Sequence, residues 1–195
     1  MKTPLMVLAG LVISAAGFLA VSLRVEAQDS RPAGAGPATR PAAQASTRPG
    51  EAHARLARRV GKYETSIVYK PKAPTGDITT SGEAELRMSL DGRFLIDENS
   101  GVLLGRNFTG LRMTGYNNAT GKYEAAWADT NSTGLVRLLG ESEDGGKTVV
   151  YAAKLETESG TFEFTATDHQ VDDNSFVITI SSATSTLSIT YKRRS

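Results

Sequence analysis

The feature that most constrains this chain is alternation with a period of two, carried by several short segments and broken by turn residues. Ala84, Leu86, Met88 and Leu90 alternate with Glu85, Arg87 and Ser89. Phe162, Phe164 and Ala166 alternate with Glu163, Thr165 and Thr167, and Leu187, Ile189 and Tyr191 with Ser188, Thr190 and Lys192. Each pattern predicts a strand with one buried face and one wet face. Weaker strand patterns cover 63–69, 94–100, 108–116, 122–129, 135–141, 148–155 and 175–182. Asp91-Gly92, the run 117–121, Asp144-Gly145-Gly146, Ser159-Gly160 and Asp172-Asp173-Asn174 mark turns between them. The gaps are short, so neighbouring strands pair antiparallel. The one good helical stretch is 51–60, with Ala54, Leu56, Ala57 and Val60 on one face and Arg55, Arg58 and Arg59 elsewhere. Gly61 ends it.

About nine or ten strands behind one short N-terminal helix make an all-β domain, either an antiparallel barrel or a two-sheet sandwich. The two ends of the chain favour the barrel. Closure pairs the first strand with the last and removes sticky edges. The first strand opens on Gly61-Lys62-Tyr63 and the last ends on Tyr191-Lys192-Arg193-Arg194. An up-and-down, lipocalin-like barrel stacks an aromatic ring near its first strand on an arginine from its last. Gly61, Tyr63 and Arg193 are the residues expected at that closure, in a structural role worth ~0.5–2 kcal/mol for the cation–π contact.

The domain occupies residues 51–195, and what precedes it is different material. Residues 1–27 read as an export signal: Lys2, then a charge-free run from Leu5 to Leu23, then Val25-Glu26-Ala27 as a cleavage site. An uncleaved membrane anchor is the rival reading, because a run of that length is near the ~20 residues a bilayer span needs. Both place the domain in the periplasm or cell envelope, or outside the cell, and the membrane enters only through this segment. Residues 28–50 hold Pro32, Pro37, Pro41 and Pro49 with no bulky apolar residue, and are expected to be a disordered linker. Residues 51–195 carry 17 basic and 19 acidic side chains, so nucleic acid is not an expected partner.

A resemblance emerges along the middle of the domain. Phe108-Thr109-Gly110, Gly115-Tyr116-Asn117, Tyr123 and Trp127-Ala128-Asp129 resemble the central signature of the bacterial domain of unknown function 1579 family. Glu51, His53, Leu56 and Gly61 in front, 90–95 before the signature, and Thr190-Tyr191-Lys192-Arg193 at the end extend the likeness over 51–195. Tyr63 stands where the family usually has Trp, and Asn117 where it usually has Asp. The resemblance implies a lipocalin-like barrel and no particular activity.

The residues exclude more chemistry than they suggest. With no Cys, disulfides, thiolate metal sites and a Cys nucleophile are out. Two histidines, His53 and His169, make a triad or a His-rich metal centre improbable, and no metal or cofactor is expected. Tyr116, Tyr123 and Trp127 are the aromatic candidates for a pocket lining, with the small Ala125, Ala126 and Ala128 leaving room around the indole. Glu98 shares a strand face with Phe94 and Ile96, and Asp129 with Tyr123, Ala125 and Trp127. The leading expectation is an exported barrel that binds a small apolar ligand through Tyr116, Tyr123 and Trp127, oriented by Glu98 or Asp129. The alternatives are an acid/base enzyme using one of those carboxylates, and an envelope interaction module with a filled core.

Overall fold

A computed structural model describes residues 47–73, 76–157 and 160–195. The sequence readings for residues 1–27 and 28–46 lie outside the described residues. The described chain forms a helix, α1 (Glu51–Ala57), and ten strands: β1 (Gly61–Pro71), β2 (Ile78–Ser89), β3 (Phe94–Leu103), β4 (Arg106–Asn117), β5 (Lys122–Asp129), β6 (Val136–Glu141), β7 (Thr148–Thr157), β8 (Gly160–Asp172), β9 (Ser175–Ser181) and β10 (Ser185–Arg193). Every strand pairs antiparallel with its neighbours in sequence, and β1 pairs with β10, closing the barrel. The all-β, up-and-down reading of the sequence, with about nine or ten strands, is therefore the fold, and the strands number ten among the described residues.

Turn chemistry sets the register. Leu90, Asp91 and Gly92 all have positive φ, and this tight turn pairs Met88 with Leu95 and Leu86 with Asp97. Inward positions are thus even on β2 and odd on β3. Tyr63, Ile67, Leu86, Leu95, Tyr151, Phe176 and Tyr191 fill the interior, each at most 2% exposed.

The helix differs from its expected form. It stops at Ala57, and Ala54, Ala57 and Val60 are exposed rather than packed. His53 and Leu56 are its buried face, and Arg59 just beyond it is buried as well. His53 sits edge-on to Tyr116 and accepts a hydrogen bond from the Gly50 N–H, while Arg59 turns into the barrel to meet Asp168. Leu56 packs into the apolar core with Ala52 against it, and the Arg59–Asp168 pair fixes the chain just beyond the helix.

The closing seam joins Tyr63 to Arg193 in register. The Arg193 guanidinium lies 5.0 Å from the Tyr63 ring centroid and donates to the carbonyls of Arg58 and Val60, just past the helix end. Gly61 has φ +150, and a Cβ there would collide with that guanidinium. Arg193→Ala should cost about 1–3 kcal/mol through loss of the charged hydrogen bonds and the ring contact. Arg193→Lys should recover less than half, because an ammonium can neither fork nor stack. Urea denaturation at constant m-value would measure both, and full recovery by Lys would refute the assigned geometry.

Candidate functional site

The inner wall of β4 and β5 is built in layers that follow their pairing. Tyr116 faces Tyr123 at the helix end, then come Thr114 with Ala125, Arg112 with Trp127, and Gly110 with Asp129 toward the far end. Gly110 belongs there because a Cβ would run into the Trp127 ring. Tyr116 and Tyr123 meet edge to face at 5.0 Å, under α1.

A charged belt crosses the barrel at mid-height. Asp168 on β8 receives Arg59 Nη1 at 2.7 Å on one carboxylate oxygen and Arg112 Nη1 at 3.1 Å on the other. Arg59 also donates from Nε to Gln170 and lies 4.5 Å from the Phe176 ring centroid. Asp97 on β3 accepts from the Tyr191 hydroxyl at 3.1 Å and from the Asn99 amide at 3.3 Å, with Arg112 Nε 3.6 Å away. All four charged residues are buried.

Their environments drive the two carboxyls apart. Burial tends to raise the Asp168 pKa, but Arg59 and Arg112 together outweigh it and hold the group below its ordinary range. For Asp97 burial wins over the more distant Arg112, and its pKa is raised. Burial also pushes Tyr191 well up, with Asp97 adding to the effect.

Beyond the belt, at the end away from α1, lies a cavity of about 130 Å³. Ile67, Phe108, Trp127, Phe164, Ile178 and Leu187 are among its walls, and Arg112 and Tyr191 close its inner end. Asp129 and the exposed Asn131 stand at its mouth. Trp127 donates its indole N–H to Asp129 at 2.9 Å, and the Asn131 backbone N–H donates to the other carboxylate oxygen.

The candidate residues therefore separate. Trp127 and Asp129 share the outer chamber. Tyr116 and Tyr123 lie across the belt, at the helix end, and are not among the residues lining that chamber. Glu98 points away from both: it is on the outer wall, half-exposed and paired with Arg87 at 2.9 Å. Strand parity explains this correction, since Phe94 and Ile96 lie on the outward face of β3 and the inward carboxylate of that strand is Asp97. His169 shares a hydrogen bond with Thr148, and among the described residues no three of His, Asp and Glu gather as a metal site.

The model of a family described as "Protein of unknown function (DUF1579)" matches residues 48–193, which take in the helix and all ten strands. The chain belongs to the DUF1579 family. No curated protein matches it. Among solved structures it is similar to a redesigned beta barrel, at 10% identity and a TM-score of 0.40, over 72% of this chain and 95% of that one.

The belt of this DUF1579 barrel escaped the sequence reading, although part of its signal was present. Asp168 continues the apolar side of Phe164 and Ala166, and Arg112 sits on the same parity as Phe108, Thr114 and Tyr116. A charge in phase with an apolar face marks an inward ion. Arg59 carried no such mark, because its burial depends on where the helix lands.

Proposed function

We propose that this exported barrel binds a small apolar molecule, or the apolar end of a larger one, in the chamber beside Trp127. The observation that carries this reading is a cavity with apolar walls and polar groups confined to its floor and mouth, the arrangement ligand sites use. Its volume suits a body the size of one ring: a cavity of roughly 150 Å³ lined by Leu, Ile and Phe takes up benzene. Placement outside the cytoplasm rests on residues 1–27 of the sequence.

Trp127 is the only tryptophan in the chain, so intrinsic fluorescence reports the chamber directly. Benzene titrated into the protein should change Trp127 emission saturably. Ala166→Leu, which fills the buried inner wall of the chamber, should abolish that change while the fold survives at a cost of about 1–3 kcal/mol. Absence of any saturable change would sink the ligand-binding reading. It would shift weight to a surface-interaction role through the exposed Leu111, Met113 and Leu139 of the outer wall.

A further inference from the structure

The chemistry of the chamber floor deepens the ligand-binding reading, on which this inference rests. Arg112 is buried and lines the floor, yet its guanidinium is only partly used. Nη1 donates to Asp168, but Nε has no hydrogen-bond partner, and Asp97 Oδ2 is beyond hydrogen-bond reach at 3.6 Å. Two buried neighbours on the same inner faces, Asn99 Oδ1 and Thr114 Oγ1, also lack partners. A buried cationic donor left unpaired is costly, and in native proteins such groups generally have a partner to receive them. The mouth has the opposite character. Asp129 places a carboxylate there, held by Trp127 and Asn131.

We propose that the chamber takes a small amphipathic acid, its carboxylate on Arg112 at the floor and an apolar body of about six carbons along Trp127, Ile178 and Ile189. The guanidinium fork matches a carboxylate in plane, and Asp129 at the mouth opposes the reversed pose. The belt already sets two guanidiniums against two carboxylates, so an arriving carboxylate competes with one of them for Arg112. Arg112 is paired with Asp97 from β3 and Asp168 from β8, Tyr191 from β10 and Tyr151 from β7 act on its charge, and Arg59 lies on the other side of Asp168. Burial disfavours the charge on Asp97 while the two arginines favour that on Asp168, so the arriving carboxylate competes with Asp97 rather than with Asp168.

Hexanoate and hexanol share a body and differ in the head, and acetate is the head alone. Trp127 emission of the full chain, titrated with each at neutral pH, should show hexanoate binding at least about tenfold tighter than hexanol and acetate. Ala166→Leu should remove hexanoate binding. Arg112→Gln should level hexanoate with hexanol. Because that variant perturbs the belt, the comparison on the natural sequence decides. Equal or tighter binding of hexanol overturns the acid head and leaves the ligand-binding reading standing. Acetate matching hexanoate also overturns the proposal, since the anion would then ignore the chamber. No saturable response to any of the three, or to benzene, overturns both.

Discussion

Asp168→Ala should destabilise the barrel by about 3–5 kcal/mol, the range for removing one partner from a buried ion cluster. The reason is the two guanidiniums it leaves behind. Arg59 keeps its bond to Gln170, and Arg112 keeps only Asp97 at 3.6 Å. Asp168→Asn should cost less, since the amide oxygen still accepts one of the two donors, but the side chain can no longer neutralise either arginine. A cost below about 1 kcal/mol for Asp168→Ala, measured by urea unfolding, would refute the belt as described.

The same cluster predicts a pH signature. The folded-state pKa of Asp168 lies below its ordinary value of 3.8, so its contribution is fully present above that value and lost as pH falls through the folded one. Asp97 runs the other way. Its folded pKa lies above 3.8, so its contribution is present below that value and lost as pH rises through the folded one. Unfolding midpoints followed from pH 7 down to about pH 2 should therefore lose part of their acid sensitivity below about pH 4 in Asp168→Asn. In Asp97→Asn the acid loss should steepen, because the opposing contribution is gone. Identical pH profiles for the natural sequence and both variants would contradict these directions.

Phe176→Ala should cost a further 3–5 kcal/mol by a different route, through about the range found for Phe truncation in a packed core. Phe176 is fully buried and stacks on Tyr191 at 4.2 Å between centroids. It meets Tyr63 edge to face at 5.5 Å and lies beneath the Arg59 guanidinium. One ring thus touches both strands of the closing seam and the residue that carries the helix end inward. Phe176→Leu keeps most of the volume and should lose roughly half as much or less. For a domain of this size the Ala variant should melt about 10 °C lower, at ~2–4 °C per kcal/mol. A shift of only 2 or 3 °C would mean that the seam repacks around the gap. Phe176 and Asp168 are close enough, through Arg59, that the double variant should depart from additivity.

Local alternation and turn residues account for what could be read without a structure. Ten amphipathic segments separated by short turns leave few topologies other than a meander, and a meander with Gly61-Lys62-Tyr63 at one end and Arg193 at the other closes readily. Tyr123, Ala125, Trp127 and Asp129 share one face on β5 because the side-chain period is two. Segment β3 was harder, because apolar residues occupy both of its faces. Phe94 and Ile96 stand against Leu95, and only the pairing of Leu86 with Asp97 resolves which side is inward. That choice moved the inward carboxylate from Glu98 to Asp97.

The sequence by itself determined the strands, their order and the one strand face that Trp127 and Asp129 share, and its two ends favoured closure, since each follows from interactions between near neighbours or chain ends. Only the tertiary structure decided that Arg59, Arg112, Asp97 and Asp168 converge. Arg59 and Asp168 are 109 residues apart, and Asp97 and Tyr191 are 94 apart. No local pattern encodes which ions meet across a barrel, because that depends on strand stagger and on where the helix seats. The belt then divides the interior, with Tyr116 and Tyr123 on the α1 side and Trp127 and Asp129 on the side of a chamber whose floor is a half-satisfied arginine.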